Sequence, residues 1–298
     1  MKYLVIGASG FIGSAVYDYC VREGLGVYGT CHSQKKRSEF VSFDQTRDVL
    51  ESIFLFGSKV ESKDVAVILC SANTSIDSCK KNEEVSRLLN VKSTERLIDE
   101  VLDVGALPVF ISSEAVFDGK RGLYSEDDCV NPITVYGSQK VEVEQYLKCA
   151  TDNYLLFRVS RAVSSIPKRG DIFDEFSDKI QKGEEIICLK DQSFNPTDVN
   201  DVAKCIVDSC EARLRGVYHI ANRDYVTRAE LARIYAERMH KKVRVIEKEY
   251  DEMAFVDNRH VYGGLNAQKI ENELDYSFVE VDEIVSRLVW INGRESKQ

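Results

Sequence analysis

Tyr136 and Lys140 have the side chains and the spacing to move a proton to or from a substrate oxygen. They lie in the segment VYGSQK at residues 135–140. On a helix, positions four apart share a face, so the phenol and the ammonium would be neighbours. A protonated lysine lowers the pKa of a nearby tyrosine toward neutral pH, which makes the phenol a usable general acid. Ordinary surface helices also contain a Tyr and a Lys four residues apart. A catalytic role for this pair therefore needs support from other parts of the chain.

A pair of serines upstream provides that support. Ser112 and Ser113 lie in the segment FISSEAVFDG at residues 110–119, where an apolar strand pattern ends. Parallel sheets bind ligands at the carboxyl ends of their strands. We therefore expect these two serines to lie at the edge of the sheet where a ligand would bind, near Tyr136 and Lys140.

A glycine-rich turn near the N-terminus is the candidate cofactor site. The segment LVIGASGFIGSAV at residues 4–16 runs from an apolar strand pattern into a helical one. Glycines permit a tight turn and close backbone approach to a pyrophosphate, and the following helix offers free N–H groups. A glycine turn without a ligand is the alternative. The context predicts dinucleotide binding by Gly7, Ser9, Gly10, Phe11, Ile12 and Gly13.

The end of the second strand indicates which dinucleotide. An NAD site usually places an acid there, where it binds the ribose 2′-hydroxyl. Here the strand runs into His32 and Ser33, which we expect to contact the cofactor, and the first acid is Glu39. The cations Lys35, Lys36 and Arg37 come before it. This pattern favours NADP(H) over NAD(H), although a solvated basic loop would look the same.

These residues need a scaffold, and the hydropathy pattern supplies one. Near-continuous apolar strands alternate with amphipathic helices, which predicts an α/β fold with a doubly wound parallel sheet, the Rossmann fold, and a smaller C-terminal substrate-binding lobe. We expect the dinucleotide-binding domain at 1–160, with 195–222 returning to it, and the smaller lobe mostly at 161–298. The expected main strands are 2–6, 26–31, 64–70, 108–113 and 153–159. The expected helices are 11–23, 84–103, 136–149, 171–182, 198–212, 227–240 and 282–292, with short strands at 185–190, 216–220 and 242–247.

Composition excludes several classes of function. A net charge of −9 argues against nucleic acid as a partner. Nine scattered cysteines without a CxxC pair indicate a reducing, cytoplasmic setting. The four histidines lie far apart, so we expect no metal site. We also expect no signal peptide and no membrane span, because the chain enters a strand pattern directly and no apolar run approaches about 20 residues.

Together the motifs resemble the extended branch of the short-chain dehydrogenase/reductase superfamily, and in particular the dTDP-4-dehydrorhamnose reductase family. The resemblance rests on GASGFIG, ISSEAVFDG, NPITVYGSQKVEVE, KDQSFNPTDVNDVAK and GVYHIAN, which span nearly the whole chain. Ser113, Tyr136, Lys140 and Glu144 fall on the family's own residue types. Glu114 stands in place of an Asp. Ala115, His260 and Gly263 depart from the pattern in the region that binds the nucleotide sugar.

The resemblance implies roles for further residues. Asp44 falls where the superfamily contacts adenine, and Ser71, Ala72 and Asn73 fall on its ribose-side loop. Substrate contacts are implied for Glu114, Arg158 and Arg259. Arg158 has a structural ion pair as its alternative role. Arg259 would meet a diphosphate or a base, since Arg suits phosphate geometry.

The implied reaction is reduction of a keto group on a nucleotide-linked deoxysugar by NADPH. Tyr136 would protonate the developing alkoxide, and Ser113 would hydrogen-bond the same oxygen as the third catalytic residue. Tyr136 and Lys140 would both contact the cofactor, with Lys140 holding its ribose. One alternative is an epimerase or dehydratase of the same branch, which would usually keep NAD bound. Another is a non-catalytic NADP-binding regulatory subunit, since the resemblance also covers the methionine adenosyltransferase β subunit. The sequence leaves open whether the protein forms a homodimer.

Overall fold

The apolar runs form strands whose two faces are both buried. The computed structural model describes residues 1–32, 37–53, 64–167 and 170–295. The strands are β1 (Lys2–Ile6), β2 (Gly26–Cys31), β3 (Val41–Ser42), β4 (Val65–Leu69), β5 (Leu107–Ser113), β6 (Leu155–Val159), β7 (Ala162–Val163), β8 (Ile186–Leu189), β9 (Ser193–Phe194), β10 (Thr197–Asp198), β11 (Gly216–Ile220), β12 (Val226–Thr227) and β13 (Val245–Lys248).

Seven of these strands make one parallel sheet in the order β3-β2-β1-β4-β5-β6-β11. Chain order reverses between β1 and β4, which is the switch point where ligands bind in doubly wound sheets. The expected α/β fold with a Rossmann-type sheet is confirmed. The strand expected at 216–220 returns to the sheet edge beside β6. The division into 1–160 and 161–298 stays a prediction.

The helices follow the amphipathic segments closely. They are α1 (Phe11–Arg22), α2 (Ile76–Lys81), α3 (Glu83–Arg87), α4 (Ser93–Asp103), α5 (Val135–Ala150), α6 (Ile172–Lys182), α7 (Val199–Glu211), α8 (Arg228–Arg238), α9 (Gln268–Leu274) and α10 (Val281–Glu295). In the described part of the chain, no helix combines the length and the apolar character that crossing a membrane requires.

One expected helix, 84–103, is wrong in detail because a π-helical turn at Leu88–Lys92 separates α3 from α4. This wider turn carries Asn90, which is buried. The Asn90 amide donates to the Asn73 carbonyl at 2.9 Å and to Gln139 Oε1 at 2.7 Å. The turn therefore ties the loop after β4 to α5, two elements that border the site described below. Such π turns often mark functional regions.

Two separate cores cover the sheet. Along β1, Tyr3 and Val5 point to the face that packs against α1 and α7, whereas Leu4 and Ile6 point to the face that packs against α4 and α5. This alternation is expected for a strand buried on both faces. A third core joins α6, α8, α10, β8 and β13, around Phe173, Phe176 and Tyr235. We call the elements around this third core the small lobe.

Candidate active site

A cavity of about 760 Å³ opens at the carboxyl ends of β1, β4, β5 and β6. The sheet and α5 line one side of it. On the other side are residues of the small lobe and the segment that follows β13, including Ile187, Leu189, Phe194, Met253 and Phe255. Its volume is in the range of small-molecule and cofactor sites. The cavity therefore lies where the fold places a ligand between the two units.

The glycine turn forms one end of the cavity. Gly7 has a φ of +87°, and a Cβ on it would lie 2.9 Å from atoms of Ser71. Gly10 is the N-cap of α1, so it offers no side-chain acceptor, and the first turn of α1 carries no acid. Gly10, Phe11 and Ile12 line the cavity. The turn thus presents a positive helix end and close backbone, which fit the phosphates of a dinucleotide.

Gly13 provides a test of this cradle. A Cβ on Gly13 would lie only 2.3 Å from the Gly7 carbonyl oxygen, so Gly13→Ala has to displace the turn. We expect it to cost about 1–3 kcal/mol of stability, as overpacking does, and to weaken NADPH binding. Urea unfolding and NADPH titration by fluorescence measure both effects. Gly26→Ala is the control, because its nearest neighbour would be the flexible Lys2 side chain at 3.3 Å. Equal stability and equal NADPH affinity of Gly13→Ala and Gly26→Ala would contradict this role of Gly13.

The predicted adenosine-side residues lie around the ends of β2 and β3. His32 Nε2 is 3.6 Å from Asp44 Oδ2. Asp44 Oδ1 accepts from the Thr46 backbone N–H at 2.9 Å and from the Thr46 hydroxyl at 2.7 Å, and these bonds lower the pKa of Asp44. Neither His32 nor Asp44 lines the cavity. Ser33 lies outside the described residues.

Of the three cations expected to favour a 2′-phosphate, the structure describes Arg37. Lys35 and Lys36 lie outside the described residues. Arg37 Nη2 donates to Asp18 Oδ2 at 2.9 Å, and its guanidinium lies over the rings of Tyr17 and Phe40. Arg37 is therefore held by α1 and by aromatic packing. The preference for NADP(H) stays a prediction.

In the loop after β4, only Ala72 of the three predicted residues lines the cavity. Ser71 packs against Gly7. The Asn73 backbone N–H donates to Asn90 Oδ1 at 2.8 Å, and its side-chain amide donates to the Ser78 hydroxyl at 2.9 Å. Asn73 thus fixes the loop that carries Ala72 to the cavity wall.

The three predicted catalytic residues line the same cavity. Ser113 ends β5, and Tyr136 and Lys140 lie on the first turns of α5. The Thr134 hydroxyl caps α5 by accepting from the Gly137 N–H at 2.9 Å. A Cβ on Gly137 would lie 2.1 Å from the Ala115 carbonyl oxygen, so α5 approaches the turn after β5 at backbone distance. This close approach brings Tyr136 beside Ser113.

The pKa of Tyr136 differs from the value expected from the sequence. Burial raises the pKa of Tyr136, and the hydrogen bond with Ser113 only partly offsets it. Burial also lowers the pKa of Lys140 to about 8. Lys140 Nζ donates to the Ile111 carbonyl at 2.8 Å and lies 5.7 Å from the Tyr136 ring centroid. The shift of the Tyr136 pKa is upward, opposite to the lowering expected from Lys140, because burial is the largest influence on it. The phenol is therefore protonated at neutral pH, as a proton donor must be.

Of the predicted substrate residues, Glu114 and Arg259 line the cavity. Glu114 Oε2 accepts from the Ser160 hydroxyl at 2.7 Å and from the Gly264 N–H at 2.8 Å. Arg259 Nη2 is 2.8 Å from Asp77 Oδ1, and this contact lowers the pKa of Asp77. Both residues hold the segment around residues 259–264 against the sheet domain.

Arg158 is not at the cavity, so the structure does not support the substrate contact implied for it. It lies within β6 and is buried, with Nη2 2.7 Å from Glu144 Oε2. Glu144 Oε1 also accepts from the Ser112 hydroxyl at 2.6 Å. Alternation along the strand turns Arg158 toward α5, where Glu144 neutralises it. The structural ion pair, its alternative role, describes what is seen.

His219 extends this buried network and makes stability depend on pH. Its Nδ1 lies 3.0 Å from the Tyr124 carbonyl, and its Nε2 lies 3.4 Å from Arg158 Nη1. Burial, followed by the charge of Arg158, lowers the pKa of His219 to about 3 from an ordinary value of 6.5. Between these values the unfolded chain binds a proton that the folded chain refuses. Stability is therefore expected to fall as pH drops through this window, by up to about 1.4 kcal/mol per pH unit.

Urea unfolding between neutral and acidic pH measures this dependence. His219→Gln should flatten the decline, because Gln does not titrate, whereas His240→Gln on the exposed surface should leave it unchanged. Parallel curves for wild type and His219→Gln would contradict the assignment.

Three basic side chains in the cavity wall were not recognised from the sequence as site residues. Arg161 follows β6 by two positions, and Arg228 begins α8. His260 was noted only as a departure from the family pattern, yet it lines the cavity with Nε2 2.9 Å from the Phe117 carbonyl. Its burial lowers its pKa. The strand-end position of Arg161 was the available signal, whereas Arg228 lies in no motif that points to a ligand. Among the residues that the structure describes, no three His, Cys, Asp or Glu side chains form a group that could hold a metal.

The sheet, the glycine turn and the Ser–Tyr–Lys group define a Rossmann-fold protein of the extended short-chain dehydrogenase/reductase class. A family model described as "RmlD substrate binding domain" matches residues 1–292. The chain belongs to that family. The suspected relationship to dTDP-4-dehydrorhamnose reductases is thereby confirmed.

Proteins of similar sequence include a methionine adenosyltransferase subunit and a probable reductase. Methionine adenosyltransferase 2 subunit beta of Xenopus tropicalis is 28% identical over 243 residues, which cover 77% of this chain and 70% of that protein. The probable low-salt glycan biosynthesis reductase Agl14 of Haloferax volcanii is 27% identical over 293 residues, which cover 93% of both chains.

Solved structures share the fold over nearly the full length. A dTDP-4-dehydrorhamnose reductase from Clostridium acetobutylicum matches with a TM-score of 0.84 and 22% identity, over 98% of this chain and 100% of that one. The Bacillus anthracis dTDP-4-dehydrorhamnose reductase in complex with NADP matches with 0.83 and 23%, over 97% and 99%. A Bacillus cereus UDP-glucuronic acid 4-epimerase in complex with UDP-glucuronic acid and NAD matches with 0.85 and 17%, over 99% and 100%. These similarities show that the fold is shared.

Proposed function

We propose that this protein reduces a keto group on a nucleotide-linked deoxysugar with NADPH. The observation that carries the proposal is the meeting of Ser113, Tyr136 and Lys140 in one cavity with the glycine turn. Bound NADPH would supply the hydride. Gly10, Phe11 and Ile12 would hold its phosphates, and Lys140 would donate to its ribose hydroxyls.

The proton is the part of the reaction that this chain's own residues supply. Tyr136 is protonated and donates to the oxygen that gains negative charge as the keto carbon is reduced. Ser113 donates a hydrogen bond to the same oxygen and stabilises that charge. Burial of the site strengthens both contacts, because little water competes for the oxygen.

The two alternatives have specific support. Epimerases with bound NAD share the fold. Against that alternative, the described residues at the end of β2, Cys31 and His32, supply no acid for the ribose 2′-hydroxyl. The described cation nearby, Arg37, pairs with Asp18 and so gives no positive support for a 2′-phosphate. The regulatory alternative rests on the similarity to the methionine adenosyltransferase subunit. Against it, Ser113, Tyr136 and Lys140 are all in place at the cavity. The nine free thiols favour a reducing compartment, and we propose the cytoplasm. A homodimer stays a prediction.

The test is NADPH consumption by the purified protein with a panel of nucleotide 4-ketosugars. The proposal expects stoichiometric oxidation of NADPH with at least one of them. Interconversion of sugars without net NADPH loss would favour an epimerase. Tight NADPH binding, no turnover and a stable complex with a methionine adenosyltransferase catalytic subunit would favour the regulatory role.

A further inference from the structure

The segment that follows β13 contacts both the ligand cavity and the catalytic helix α5. Residues 253–260, which we call the strap, come shortly after the end of β13. Phe255 and Arg259 of the strap line the cavity of the candidate active site. Asp257 instead lines a second cavity, of about 350 Å³, together with Val135 at the start of α5. The strap therefore joins the ligand cavity to the start of α5.

Asp257 caps the N-terminus of α5 from a distant part of the chain. Its Oδ2 accepts from the backbone N–H of Val135 at 2.8 Å, and Val135 is the first residue of α5. The first turn of α5 carries no acid of its own, so this carboxylate faces the positive end of the helix, where an anion is stabilising. Tyr136 comes directly after Val135. The hydrogen bond of Asp257 therefore fixes the backbone next to the proposed proton donor.

Arg259 links Asp257 to the ligand cavity. Its Nη1 donates to the Asp257 carbonyl at 3.0 Å, and its Nη2 lies 2.8 Å from Asp77 Oδ1 on α2. Asp77 Oδ1 also accepts from the Asp257 backbone N–H at 3.4 Å. The guanidinium carbon of Arg259 lies 4.8 Å from the centroid of the Phe255 ring. A ligand that contacts Phe255 or Arg259 therefore also acts on the position of Asp257.

We infer that Asp257 is a positioning residue, which places Tyr136 through the Val135 N–H and couples that placement to ligand contact with the strap. The inference rests on the proposed function for the role of Tyr136 as proton donor. Misplacement of a reacting group by about 1 Å can lower a rate by ~100-fold, so one backbone hydrogen bond beside Tyr136 is enough to affect turnover. Asp257 does not line the cavity of the candidate active site. Its loss should therefore lower turnover and leave NADPH binding unchanged.

Two variants remove opposite sides of the same hydrogen bond. Asp257→Ala removes the acceptor. Val135→Pro removes the donor, and proline suits this place because it is favoured at the first position of a helix and Thr134 before it is extended. Each variant should lower kcat with the active ketosugar by at least ~10-fold without changing the Kd for NADPH. The double variant should lose no more than either single variant, because both act through one contact.

Two further variants show whether the effect belongs to that contact. Asp257→Asn keeps a side-chain carbonyl oxygen as an acceptor, so its turnover should stay within a few-fold of wild type. Asp251→Ala is the control, because Asp251 is an exposed acid that precedes the strap. It should match wild type. Val135→Pro carries the test alone if Asp257→Ala fails to fold.

Amide hydrogen exchange measures the coupling without requiring turnover. The NADPH-loaded protein is compared with and without dTDP, and with and without UDP. In wild type, at least one of these nucleotides should slow exchange both in the strap and in residues 136–140. In Asp257→Ala and in Val135→Pro it should slow exchange in the strap alone. A cap with a purely structural role would change exchange before the nucleotide is added and would leave the nucleotide-induced change intact.

The outcomes separate this inference from the proposed function. Additive losses of kcat in the double variant overturn the inference, as does a loss of NADPH affinity that accounts for the lower turnover. Equal nucleotide-induced slowing of residues 136–140 in wild type and both variants also overturns it, and so does the absence of slowing there in wild type. Slowing that depends on Asp257 in a protein that reduces no ketosugar would support the coupling and refute the reductase proposal. Wild-type turnover of both variants would refute the inference and leave the reductase proposal standing.

Discussion

Tyr136→Phe is expected to keep NADPH binding and to lower turnover by at least ~100-fold. The substitution removes only the phenolic oxygen, so the buried ring still packs beside Ala115 and Cys79. What is lost is the proton donor, and neither Ser113 nor Lys140 is placed to replace it. In the proposed mechanism the Ser113 hydroxyl already contacts the reacting oxygen, and Lys140 donates to the Ile111 carbonyl.

The measurement is steady-state turnover with the active ketosugar, together with NADPH titration. Tyr146→Phe is the matched control, because Tyr146 lies on the same helix and its exposed hydroxyl donates to Asp99 at 2.7 Å. That control should keep near wild-type turnover. Turnover of Tyr136→Phe within a few-fold of wild type would remove Tyr136 from the mechanism.

Glu144→Gln is expected to be the most destabilising substitution near the site. It leaves the buried guanidinium of Arg158 without its counter-charge, and breaking one side of a buried pair costs about 3–5 kcal/mol. Glu144 Oε2 also lies 3.6 Å from Lys148 Nζ, so a second cation loses a partner. Because Glu144 shares α5 with Tyr136 and Lys140, the loss should reach the catalytic residues as well.

Glu142→Gln supplies the comparison two residues away. Glu142 pairs with Arg87 on the surface, with both side chains partly exposed. Exposed pairs contribute about 0–1 kcal/mol, so this variant should unfold close to wild type. Chemical denaturation of the three proteins gives the free energies of unfolding. Similar losses in the free energy of unfolding for Glu144→Gln and Glu142→Gln would mean that burial of the Glu144–Arg158 pair does not determine the cost of breaking it.

Most of the fold could be predicted because its signals are local. β2 and β11 begin and end at the predicted residues, and α5 differs from its predicted bounds by one residue at each end. Strands buried on both faces have near-continuous apolar sequences, and alternation with amphipathic helices restricts the topology strongly. The π turn at Leu88–Lys92 could not be predicted, because it depends on the distant partners of Asn90.

Site residues could be predicted where a sequence motif requires a particular backbone conformation or supplies a reactive side chain. Gly10, Ser113, Tyr136 and Lys140 come together at the cavity in this way. The structural role of Arg158 was not predictable, since it depends on Glu144 lying opposite, although the predicted end of β6 at residue 159 is correct. The pKa of Tyr136 could not be predicted either, because sequence shows the neighbouring lysine but not the depth of burial.

The most direct test of the central claim follows the hydride itself. NADPH carrying deuterium at the transferable position of the nicotinamide is incubated with the protein and a nucleotide 4-ketosugar, and the product is examined by NMR. The account predicts one deuterium on the former keto carbon for each NADPH oxidised. Products without deuterium, or isomerised sugar with NADPH unconsumed, would contradict it.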